Sequence, residues 1–250
     1  MNKTILSFII TILSGLSTTL GIIPCFLKAK NQNKIISTSL AFASGIMLSI
    51  SLISLIPESS NLLSETFLPI PSFLICSIFI ISGIFICTII DDKIDKKLSS
   101  SKLHKLGIIS AIVLMLHNIP EGMTTFISTS KNTELGIKLA IAIALHNIPE
   151  GISIAIPIYY STQNKIKALT YTLIAGFSEL LGAIISYVFL QKYISNLLLS
   201  IILLVTAGIM INISIYEFIP KAFEKEKNKS LTLAFVIGIL IIFLTEIYLI

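Results

Sequence analysis

The sequence predicts an all-α integral membrane protein with eight transmembrane helices. Three observations carry that reading. The mean hydropathy of the 250 residues is +0.95. Only 12% of them are charged, where a soluble domain carries about 25%. Apolar stretches of about twenty residues recur from end to end, each the length that crosses a ~30 Å hydrocarbon core. A soluble enzyme, a disordered chain and a DNA-binding module are excluded. The pI near 9.0 comes from lysines in short connections rather than on one face, so no nucleic-acid partner is expected.

The first span, 5–27, runs from Ile5 to Leu27 without a small-residue cleavage pattern, and so reads as a helix that stays rather than a signal peptide. The second, 35–56, lies between Lys34 and Pro57, and the third, 68–90, stops at Asp91-Asp92. Lys105 and Lys131 bracket the fourth, 106–129, and a Ser-Thr-Gln-Asn run follows the fifth, 134–160. Only Gln191 and Lys192 separate the sixth, 165–190, from the seventh, 193–219, and three lysines precede the eighth, 231–250. Cys25, Cys76 and Cys87 lie in or beside these stretches with no CxxC pair, and read as small buried apolar side chains.

The lysines orient the bundle. The connections 28–34, 91–105, 161–167 and 220–230 hold 14 of the 18, and the other side holds Lys3, Lys131, Lys138 and Lys192. Positive charge marks the cytoplasmic side, so both termini are expected outside, in a multi-pass protein of the cell (plasma or inner) membrane. The chain is expected to be one transmembrane domain, 1–250, with 91–105 as a cytoplasmic loop. That loop carries Asp91, Asp92, Asp95 and His104, a set that reads as a solvated, flexible connector before it reads as a metal site.

Internal repeats follow. His-Asn-Ile-Pro-Glu-Gly occurs at 117–122 and again at 146–151. Gly45-Ile46-Met47-Leu48-Ser49-Ile50-Ser51 is echoed by Gly208-Ile209-Met210-Ile211-Asn212-Ile213-Ser214, and Ser14–Gly21 more weakly by Ala175–Gly182. Spans five apart run in opposite directions, so the repeat is inverted, relating spans 1–3 to 6–8 and span 4 to span 5. Inverted repeats are typical of secondary transporters, with the substrate site near the midplane.

His117, His146 and Glu179 each fall twelve to fourteen residues into their spans, which at 1.5 Å per residue is about 18–21 Å deep, near the bilayer centre. A carboxylate there costs about 3 kcal/mol, so Glu121, Glu150 and Glu179 together cost roughly 9 kcal/mol. With no intramembrane lysine to pair them, a bound cation is the least strained compensation, and imidazole, carboxylate and amide donors suit a divalent transition metal. His117 and Glu121 are i, i+4, and Asn118 and Glu121 are i, i+3; His146, Asn147 and Glu150 repeat the spacing, so each helix turns one such face inward. Pro120 and Pro149 are expected to bend these helices by freeing the carbonyls of Leu116 and Leu145.

The two hexapeptides, with Gly176-Phe177-Ser178-Glu179-Leu180-Leu181-Gly182 after them, resemble the ZIP (Zrt/Irt-like) family of divalent metal transporters, and within it the bacterial ZupT-type branch. The chain departs from that branch at Leu180, where proline is common, and lacks the histidine-rich third loop of many members. The resemblance implies a principal metal site from His117, Glu121, His146, Glu150 and Glu179, and a neighbouring one from Asn118 and Asn147 with Glu121 and Glu150 bridging. It further implies Glu58 at the outer mouth, and Glu217, Met47, Ser51, Met210 and Ser214 along the route. The implied function is inward movement of divalent metal, zinc above Fe2+, Mn2+, Co2+ and Cd2+, with no resident cofactor. The implied partners are metal ions and the lipid bilayer, and a homodimer is compatible with this. A membrane-embedded di-metal carboxylate enzyme is the alternative; an intramembrane metalloprotease lacks its His-Glu-x-x-His.

Overall fold

The computed structural model describes residues 2–26, 31–97, 101–190, 195–225 and 229–249. Every regular element among them is helical, and eight helices are long and apolar enough to cross a membrane. Span 1 is Lys3–Phe26, span 2 Gln32–Ser64, span 3 Pro69–Lys93, span 4 Lys102–Lys131, span 5 Thr133–Thr162, span 6 Lys165–Phe189, span 7 Asn196–Glu224 and span 8 Lys229–Ile247. The expected break at Gln191 and Lys192 lies outside the described residues.

Side-chain caps set the starts. Asn31, Ser101, Asn132, Asn164 and Ser195 each accept a backbone N–H from the first turn that follows. Asn132 is the whole connection between spans 4 and 5, which holds the two hexapeptide helices side by side. At the other end of span 5, Gln163 closes the helix in the left-handed conformation, with φ of 53°.

The segment 91–105 departs from a flexible connector. Span 3 continues as helix to Lys97, and the helix of span 4 starts at Lys102. Ser101 caps the helix of span 4 by accepting the His104 N–H. Residues 98–100 lie outside the described residues.

Spans 4 and 5 run as unbroken helix through Pro120, Pro149 and Pro157. The helix changes character elsewhere. Span 1 tightens to a 3-10 helix over Ser17–Phe26. Span 2 widens to a π-helix at Ile50–Leu55 and span 7 at Ile213–Phe218. These two π-helices fall at matching positions of the repeat. In each, a proline follows (Pro57, Pro220), and its missing N–H removes one i→i−4 bond. The amide just before it, Ile56 or Ile219, reaches instead to Ser51 or Ser214, five residues back.

Glycine contacts carry the repeat into three dimensions. Gly15 and Gly176 face each other so closely that a methyl group on either would overlap the other's carbonyl oxygen. Gly21 packs against Gly151, and Gly182 and Gly122 make the equivalent crossing in the other half. Gly45 meets Phe235 and lies beside Gly238, just as Gly208 meets Ile80 and lies beside Gly83. The first set ties spans 1, 4, 5 and 6 together; the second pairs span 2 with 8 and span 7 with 3. In lipid, where apolar side chains gain nothing by leaving hydrocarbon, such small-residue contacts are what hold helices together. Span 4 lies deepest, 72% buried over its most apolar window, whereas span 3 is 17% buried and span 8 is 22%. The exposed faces of these two outer spans carry Phe73, Ile78, Phe85, Leu240 and Phe243, as a lipid-facing surface should.

Candidate metal centre

The hexapeptide helices deliver their polar faces to one point. His117, Asn118, Asn147, Glu150 and Glu179 are fully buried, and Glu121 is 7% exposed. His146 is 12% exposed. The helical period explains the rest: Leu116 and Leu145, one residue before each histidine, turn outward and are exposed.

One side of the centre is built from imidazole and carboxylate. Glu121 Oε1 lies 2.6 Å from His146 Nε2 and 2.9 Å from His117 Nε2. Glu150 Oε1 is 3.6 Å from the same His117 nitrogen. Donor atoms of His117, Glu121 and His146 all lie within 4.8 Å of one another, a spread that a single ion can bridge. Several of the atoms there have no hydrogen-bond partner: both Glu150 oxygens, Glu121 Oε2 and His117 Nδ1. Buried polar atoms are ordinarily paired, and a cluster of orphaned acceptors around two imidazoles has the chemistry of a divalent cation site.

The other side is built from amides. Asn118 donates from Nδ2 to the Ala175 carbonyl at 3.1 Å, and Asn147 to the Ser14 carbonyl at 3.1 Å. Ser14 and Ala175 are repeat equivalents, so the two bonds are one bond made twice. In both asparagines Oδ1 is left without a partner. Asn147 also donates to Glu179 Oε1 at 2.5 Å. Glu179, which the resemblance implies as a ligand beside the histidines, thus sits next to Asn147. It lies outside the His117–Glu121–His146 group, because span 6 crosses span 1 at Gly15 and lays the Glu179 side chain over that glycine, beside Asn147.

A cavity of about 560 Å³ leads to this centre. Its walls include Glu121 and His146 of the centre together with Ser54, Glu58, Asn61, Glu65 and Glu246. Glu58, expected just past span 2, instead lies within its helix. Glu246, which the sequence reading did not single out, accepts a hydrogen bond from Ser54; the signal was there, as the one carboxylate of the last span. Met47, Ser51, Met210 and Ser214 are fully buried and do not line the cavity. Ser51 and Ser214 donate to the carbonyls of Met47 and Met210, at 2.8 and 2.7 Å. Glu217 pairs with Lys221 one helical turn on. The structure thus brings the seven hexapeptide and span-6 residues together, while Glu217 and the Met/Ser pairs are not among the residues lining the cavity.

Residues 91–246 match the family described as ZIP Zinc transporter, more than half of the chain. The chain belongs to the ZIP family. Its similarity to individual ZIP proteins runs almost end to end. It is 34% identical over 248 residues to the zinc transporter ZupT of Streptococcus mutans, covering 94% of each chain. It is 35% identical over 231 residues to that of Chlorobium limicola, covering 86% of this chain and 87% of the relative. To that of Clostridium perfringens it is 32% identical over 251 residues, covering 89% and 88%. The matched region takes in both hexapeptides, Glu179 and Glu217.

Proposed function

We propose that this ZIP-family chain carries divalent transition metal, zinc foremost, across the membrane through the His117–Glu121–His146–Glu150 centre. The observation that carries this reading is a largely buried group of donor atoms within 4.8 Å, several of them unpartnered, reached by a cavity lined with carboxylates. A cation entering that cavity exchanges its water for Glu58, Glu65 and Glu246, then for His146 and Glu121. Each exchange replaces hydration by carboxylate or imidazole, so no step leaves the charge bare in hydrocarbon. Asn118, Asn147 and Glu179 hold a neighbouring position, with Glu121 and Glu150 shared between the two.

The lysine distribution supports both termini facing outside and 91–105 facing the cytoplasm. The cavity then opens outward, and Glu217 lies toward the exit. Inward direction rests on the family resemblance. The names of the relatives, zinc transporters rather than enzymes, support transport over di-metal catalysis.

Zinc uptake by intact cells expressing the chain tests this reading. Intracellular zinc should rise relative to cells carrying Glu150→Ala at equal membrane abundance. Zinc that falls, or stays level with correctly inserted protein, defeats it.

A further inference from the structure

The two halves of the repeat differ beside the centre in the chemistry of one position above all. Glu179 in span 6 corresponds to Thr18 in span 1, and the two occupy equivalent places in space as well. Glu179 Cβ lies 3.1 Å from where a Cβ on Gly15 would stand, and Thr18 Cβ lies 3.4 Å from the same point on Gly176. Thr18 is fully buried, yet its hydroxyl has no hydrogen-bond partner. Among the described residues most buried hydroxyls bond to a carbonyl one turn back, as Thr11 and Thr129 do at 2.9 and 2.7 Å, while Thr18, with Ser14, Ser37, Thr125 and Ser186, does not. Asn118 Oδ1, the repeat equivalent of an atom beside Glu179, is likewise unpartnered. An unpaired buried hydroxyl is costly, and here it stands where the other half places a metal-site carboxylate.

We propose that the Thr18 hydroxyl is a neutral oxygen donor for a divalent cation on the amide side of the centre, facing Glu179 across the repeat axis, and that it sets metal selectivity there. Neutral oxygen donors serve the harder divalent ions, and imidazole serves zinc. Thr18 with the two asparagine oxygens therefore makes the amide side a position for an ion such as Mn2+, while the histidine side is the position for Zn2+. The inference rests on the centre binding metal and not on the chain transporting it.

Equilibrium dialysis of the purified full chain against Mn2+ alone and Zn2+ alone tests it, for wild type and Thr18→Val, Thr18→Ala and Thr18→Ser. Loss of one neutral donor should weaken Mn2+ binding about fivefold in the valine and alanine variants, with Zn2+ binding and the serine variant unchanged. The paired Val and Ala variants, one filling the space and one emptying it, keep the result independent of either failing to fold. Mn2+ binding unaltered in whichever folds, or serine falling with them, overturns the proposal. Failure of wild-type zinc uptake would defeat the transport reading while leaving this binding result standing.

Discussion

Glu150 has two buried oxygens and no hydrogen-bond donor on either, and its repeat partner Glu121 spans both histidines. Glu150→Ala, and equally Glu150→Gln, should bring zinc uptake to background, because the centre loses a charge that both positions share. Asn147 and Glu179 are joined by a hydrogen bond of 2.5 Å, so their variants should resemble each other. Losing a hydrogen bond to a charged group costs about 1.5–3 kcal/mol. Asn147→Ala and Glu179→Ala should therefore each raise the zinc concentration for half-maximal uptake by roughly tenfold or more, and the double variant should be little worse than either. Initial rates normalised to membrane protein give the comparison; strictly multiplicative effects would show that the two act apart. At this scale the centre was legible because polar residues are so improbable in apolar spans. The pairing of Glu179 with Asn147 was not legible. Depth along a helix is readable from residue number, but the azimuth at which span 6 meets span 1 depends on the Gly15–Gly176 crossing.

Helices in this fold touch through glycine, and each contact appears twice. Replacing Gly122 or Gly182 by alanine would drive a methyl group into the backbone of the facing helix. Overpacking of this kind costs about 1–3 kcal/mol, and in this chain it also displaces span 6, which carries Glu179. Both variants should melt lower in detergent than wild type and take up less zinc, while Gly136→Ala, at the distant connection beside Thr129, should melt lower with its uptake less affected. A thermal melt read beside the uptake rate separates the two; loss of uptake in Gly136→Ala matching that in Gly122→Ala would remove the special place given to the crossing. Span number and extent were readable from hydropathy and lysine position. The π-helices were not, because nothing in the residue types of Ile50–Leu55 marks them. In spans 2 and 7 the proline that follows allows them, whereas the π-helix at Ser186–Leu190 in span 6 has no such proline, and in each the extra residue is accommodated by packing. The helical 91–97 segment was hidden for another reason: its charge composition reads as solvated whether it is helix or loop.

The whole molecule is an inverted pair of three-span units around the two hexapeptide helices, with a carboxylate-lined cavity on one side of the centre. Its orientation should be visible by labelling. In a background without Cys25, Cys76 and Cys87, cysteines at the exposed positions Ser60 and Lys102 should react with an impermeant reagent from opposite sides of intact cells, Ser60 from outside. Reaction of both from one side would reverse or break the topology. The central claim, that the buried His/Glu centre is the passage for metal, is tested most directly by zinc uptake into proteoliposomes holding the purified chain. The wild-type protein should fill the vesicles at a rate that saturates with zinc, and Glu150→Ala, reconstituted to the same density, should match protein-free vesicles. Equal uptake by the two proteins would contradict the account, because metal would then be crossing without the centre.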